Sequence, residues 1–164
     1  MNYLKIFIFF SIIGYIFEEI LCFVLKIDFN SGILYGPYTP IYGLGILIII
    51  IISNYIFKKF NLKKYQETII TGGILFFTIT ILELLGGILI EKTFNKVYWS
   101  YENMKLHYGN YISIEVSFIW TILGIIIYYC KNFFYKIISK IPNIIYYIIS
   151  ILFIIDIVIT YLKK

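Results

Sequence analysis

Long apolar runs constrain this chain more than any other feature. They recur over residues of roughly 3–25, 41–57, 68–90, 112–129 and 143–162, and a helix that crosses a bilayer needs about 20 mostly apolar residues. Hydrophobic residues make up 61% of the 164, against about 45–50% in a soluble domain. A chain this short leaves a large share of its surface exposed however it folds, so that much apolar surface cannot be kept from water. The reading is an all-α, polytopic integral membrane protein of about five transmembrane helices, forming one helical domain over residues 1–164. The lipid bilayer is its first partner.

The net charge is +5, and all 14 basic residues are lysine. They fall between the apolar runs instead of gathering in a patch, which is the distribution of membrane-surface anchors. No nucleic-acid partner is expected. Five spans put the two termini on opposite sides. Lys5, Lys58, Lys59, Lys63, Lys64, Lys131, Lys136 and Lys140 then share the side of the amino terminus. Lys26, Lys92, Lys96, Lys105, Lys163 and Lys164 lie on the other. The excess predicts a cytoplasmic amino terminus. Richness in Ile, Asn, Lys and Tyr without arginine suggests a bacterium with an AT-rich genome, and so a bacterial inner (plasma) membrane location. The first run starts like a signal peptide, but it is long, carries Glu18 and Glu19 and lacks a small-residue cleavage site; a retained helix is expected.

Between the first two runs lies Tyr35-Gly36-Pro37-Tyr38-Thr39-Pro40-Ile41-Tyr42-Gly43, with Asn30-Ser31-Gly32 before it as a turn. Proline lacks an N–H and restrains the residue before it, so helix cannot run through this stretch. Irregular backbone near a membrane is buried in protein or lines a wet cavity. The loop is therefore either an aromatic interfacial turn or a re-entrant element shaping a cavity. A second loop, Thr93 to Tyr111, holds Trp99, Tyr101 and His107, and aromatic residues of this kind favour the interface. Lys131, Lys136 and Lys140 mark a third loop, ended by Pro142. The apolar run, loop, apolar run pattern occurs twice, which suggests a two-helix internal repeat with Glu18 and Glu83 as equivalent positions.

Four acidic residues are candidates for a substrate or ion pathway: Glu18, Glu83, Glu115 and Asp156. In the predicted topology all lie in the outer half of the membrane. An ionised side chain there costs roughly 2.5–3.5 kcal/mol at the helix centre, so it needs a proton, a hydroxyl partner, water or a cation. Intramembrane carboxylates mark pathways by default, or else they hydrogen-bond helix to helix. For Glu19, Glu115 and Asp156 the structural reading is favoured. Gly14, four residues before Glu18, and the Thr80, Glu83 and Gly87 face mark sides where another helix can come close.

Other chemistry finds little footing. No Gly-x-x-x-x-Gly-Lys-Ser/Thr loop is present to cradle a nucleotide. The single His107 lies in a loop, and Cys22 and Cys130 fall on opposite sides of the predicted membrane, where they read as small buried hydrophobes. No catalytic residue, metal or cofactor is implied, and the chain is not expected to be an enzyme.

Several pieces, taken in order, resemble a bacterial family, putative ABC-transporter type IV, also described as putative ABC transporter permease. They are Gly14-Tyr15-Ile16-Phe17-Glu18, the stretch from Asn30 to Gly43, Leu82-Glu83-Leu84-Leu85-Gly86-Gly87 with Glu91-Lys92, Trp99-Ser100-Tyr101, and Phe118-Ile119-Trp120-Thr121-Ile122-Leu123-Gly124. The chain departs from that pattern at Ser31 and Ser100, where the family tends to have Arg and Asp, and in lacking an arginine near Asn110-Tyr111. The resemblance implies a permease-like membrane subunit of a transporter. Such a subunit needs a separate ATP-binding partner, and five spans would need a homo-oligomer or another membrane subunit to form a pathway. The alternative is a non-transporting membrane assembly or regulatory factor.

Overall fold

The computed structural model describes residues 3–25, 33–60 and 62–163; the expected turn at Asn30-Ser31-Gly32 lies outside them. The regular structure of the described chain is helical apart from one short hairpin. Its elements are α1 (Tyr3–Leu25), α2 (Pro40–Phe60), α3 (Lys64–Phe94), β1 (His107–Tyr108), β2 (Ile112–Ser113), α4 (Ile114–Tyr129), α5 (Lys131–Lys140) and α6 (Asn143–Lys163). Among the described residues α1, α3 and α6 are each long and apolar enough to cross a membrane. The helices α4 and α5 reach that length only as a pair, broken between them, which makes up to four spans. In α2 the residues Pro40–Ile51 form a further, shorter apolar stretch among the described residues.

The helix boundaries follow local chemistry. Pro40 opens α2, where its missing N–H costs nothing and its fixed φ suits a first turn. Ser113 starts α4 by accepting the Val116 N–H at 3.3 Å. Asn95 ends α3 in the left-handed region, with φ 49°. Two expectations need correction. The segment with Lys131, Lys136 and Lys140 is not a loop but α5, whose Ile138 is fully buried. Residues Ile112 and Ser113 do not begin a helix; they pair with Tyr108 and His107 as a strand.

The chain divides into two compact units. The first takes residues 1–47 and 133–164, and packs α1 against α6. Phe7 meets Phe153 edge-on at 5.7 Å, and Phe10 meets Phe134 of α5 at 5.1 Å. Lys5 lies 5.0 Å over the Tyr146 ring and donates to the Ile141 carbonyl at 3.4 Å. The second unit, residues 48–132, is built on the antiparallel pair of α3 and α4, with the hairpin at one end. Leu75 packs into the gap left by Gly124, where a Cβ would lie 2.8 Å from the leucine Cδ1. Several hydroxyls inside these helices satisfy themselves locally, as Ser11 does on the Phe7 carbonyl at 2.7 Å and Thr121 on the Ser117 carbonyl at 2.7 Å. That is how such groups are tolerated in a membrane helix.

Candidate functional site

In the first unit the site is assembled where α1 and α2 come close. Gly14 leaves room for the ring of Tyr42, and Gly43 leaves room for Ser11 and the Phe7 carbonyl. This approach carries Thr39 and Tyr42 to Glu18, one turn beyond Gly14. The Glu18 carboxylate accepts from the Thr39 hydroxyl at 3.3 Å and from Tyr42. The Thr39 N–H is fixed in turn on the Ser11 carbonyl at 3.0 Å.

The loop before α2 is held by Asp156 of α6. Its two carboxylate oxygens accept the Tyr35 N–H at 3.0 Å and the Gly36 N–H at 2.9 Å. Pro37 sits at the centre of a tight turn, closed by the Tyr38 N–H on the Gly36 carbonyl at 2.8 Å. The Tyr38 ring packs edge-on against Phe153 at 5.2 Å. Burial and the nearby Asp156 charge both raise the Tyr38 phenol above its usual range. Asp156 thus uses its carboxylate to organise loop backbone within its own unit.

In the second unit Glu83 is 5% exposed and accepts the Tyr101 hydroxyl at 3.0 Å. The loop that brings Tyr101 there is anchored by its own N–H on the Asn110 carbonyl at 2.8 Å. Gly87 leaves room for the Tyr111 ring, against which Trp99 stacks edge-on at 5.5 Å. The Tyr111 hydroxyl donates to Glu91 at 2.9 Å. Burial, with that bond and the Glu91 charge, pushes the Tyr111 phenol up to about 12.

Glu115 lies in the first turn of α4, beside the hairpin. It accepts the Leu106 N–H at 2.9 Å and the Ser113 hydroxyl at 3.0 Å, and these donors hold its carboxyl function in place at the loop. Each unit therefore carries a glutamate well inside a membrane-length helix, Glu18 in α1 and Glu83 in α3, that accepts from a hydroxyl of the segment that follows. Each also carries a second carboxylate tied to loop amides: Asp156 in one, Glu115 in the other. The parallel is not a strict repeat. The ring-seating glycine precedes the glutamate in α1 and follows it in α3.

Of the loop residues expected to matter, Tyr38, Tyr42, Gly43, Trp99 and Tyr101 join these contacts, and Tyr35 and Gly36 contribute backbone N–H groups. Pro37 and Pro40 shape the backbone. Tyr111 and Glu91 join these contacts without being among the expected site residues, although the small pair Gly86-Gly87 signals that a bulky ring can seat there.

A family model described as putative ABC-transporter type IV matches residues 5–161. No curated protein matches the chain, and no solved structure does. The match runs from the first turn of α1 to the last of α6, and so takes in Glu18, Glu83 and every group that holds them. This polytopic, all-α, transporter-associated membrane protein belongs to the putative ABC-transporter type IV family.

Proposed function

We propose that the protein is the permease-like membrane subunit of a transporter in a bacterial cell membrane, with its amino terminus on the cytoplasmic side. Glu18 and Glu83 are the residues that meet the substrate or its coupling ion. The observation that carries this reading is the pair of glutamates inside membrane-length helices, each met by hydroxyls of the segment after its helix. A carboxylate in that setting costs roughly 2.5–3.5 kcal/mol at the helix centre. A hydrogen bond to a charged group returns about 1.5–3 kcal/mol. The balance is close, so a proton or a cation can tip the site between states. An acidic site of this kind suits a cationic or proton-coupled substrate, and a separate subunit supplies ATP hydrolysis.

The second reading is a non-transporting assembly or regulatory factor. What favours it is that Asp156 and Glu115 commit their carboxylates to loop amides within their own unit. Glu18→Gln and Glu83→Gln separate the two, because glutamine keeps the volume and a hydrogen-bonding carbonyl but cannot titrate. Each variant is expected to reach the membrane at wild-type level by immunoblot, yet fail to complement a deletion strain screened on a panel of cationic solutes. Full complementation by both variants would remove the acidic site from the account.

A further inference from the structure

The buried face between α3 and α4 is polar along most of its length. Glu67 of α3 lies 3.5 Å from the Tyr128 hydroxyl of α4, and Lys131 sits 4.1 Å over the Tyr128 ring, where its charge also meets that of Glu67. One turn on is Thr71, 4% exposed, whose hydroxyl is buried without a hydrogen-bond partner. Its neighbours at either side on that face, Glu67 and Leu75, both contact α4, so Thr71 faces α4 as well. Beside Leu75 stands Thr121, 7% exposed, whose methyl comes within 3.8 Å of where a Cβ on Gly72 would lie, and beyond Leu75 is the hydroxyl pair of Thr80 and Ser117 at 2.8 Å. The Thr80 hydroxyl has both the Phe76 carbonyl at 2.7 Å and the Ser117 hydroxyl as acceptors for its single proton. The series ends at Glu83 with Tyr101, and Glu91 with Tyr111 lies two turns further on. Glu67 and Glu83 are about 24 Å apart along α3 at 1.5 Å per residue, most of the ~30 Å hydrocarbon core.

Small or polar residues at a helix interface are usually packing aids. Thr71 does not fit that account, since its hydroxyl is shut away with neither a backbone carbonyl nor a side chain to bond. We infer that this face is a proton path which loads and unloads Glu83 from the Glu67 end, closed where Leu75 is seated on Gly124. A hydroxyl both donates and accepts, so it can take a proton on one side and release one on the other. Water can bridge groups set one turn apart. Leu75, 1% exposed, offers no such group and fills the space where a bridging water would stand. The inference deepens the permease reading by naming the proton as the ion exchanged at Glu83, and it rests on that reading for its purpose.

The test is proton entry into liposomes holding the purified full chain and a trapped pH dye, driven by a potassium diffusion potential. Leu75→Ser is expected to raise the flux several-fold over wild type. Leu75→Met, which keeps an apolar side chain of similar volume, is expected to stay at the wild-type level. Leu75→Ser combined with Glu83→Gln is expected to return there. The path is overturned if folded, incorporated Leu75→Ser conducts no more than wild type. It is equally overturned if Glu83→Gln leaves the raised flux intact, or if chloride leaks in parallel. Leu75→Ala gives the same ordering by a milder opening, should Leu75→Ser not fold. The assay needs neither transported solute nor ATP-binding subunit. A tight Leu75→Ser variant in a protein that still recovers an ATPase defeats the path and leaves the permease reading standing. Glu83-dependent flux without any ATPase partner does the reverse.

Discussion

At the scale of single residues, glycines and hydroxyls decide where the carboxylates end up. Gly14 and Gly87 each leave space for one tyrosine ring, and a Cβ at either would run into it. Those rings then bring phenols to Glu18 and Glu91. Tyr111 gives a direct check on this environment. Its phenol is raised from an ordinary value near 10 to about 12, so the folded state favours the neutral form. The resulting stabilisation is complete below about pH 10 and is lost progressively as pH climbs toward 12. In a spectrophotometric phenolate titration of the folded protein, Tyr111→Phe is expected to remove one of the latest-titrating phenols. It should also flatten the loss of thermal stability across that window; an unchanged titration would place Tyr111 in water. In the sequence Gly14 was legible as a close-approach point, since it shares a helical face with Glu18. The identity of the ring that fills the space was not, because Tyr42 comes from another element.

At the scale of elements, continuous apolar length made α1, α3 and α6 legible. Lysine spacing obscured α5. Lys131, Lys136 and Lys140 read as a loop, yet Phe134 and Ile138 lie on the inward side of an amphipathic helix, a period of 3.6 that was there to be counted. The start of α4 is not legible in the sequence, because Ile112 is apolar enough to extend a helix while its pairing with Tyr108 depends on a turn through Gly109. The tie between Asp156 and the loop before α2 joins groups some 120 residues apart, and no local pattern announces such a contact. It predicts that Asp156→Asn, which replaces one acceptor oxygen with a donor, weakens the loop by about 1–3 kcal/mol. Limited proteolysis at the exposed Tyr35 is the measurement. Faster cleavage in the variant supports the tie, and an unchanged rate would mean that Pro37 and the Tyr38 ring hold the loop alone.

At the scale of the whole molecule, composition alone fixed the membrane class, because 61% hydrophobic residues in 164 cannot be buried in a water-soluble fold. The ordered motifs carried the family. The division into two compact units, each with a glutamate that accepts from a hydroxyl (Glu83 buried, Glu18 half-buried) and a second carboxylate on loop amides, came only with the structure. The chain has no nucleotide-binding loop of its own, so a permease role requires a partner that has one. The most direct measurement is therefore recovery of the tagged protein from its native membrane in mild detergent, with mass spectrometry of what comes with it. An ATP-binding subunit is expected in constant ratio to the chain. Recovery of the chain alone, or with envelope-assembly proteins and no ATPase, would contradict it.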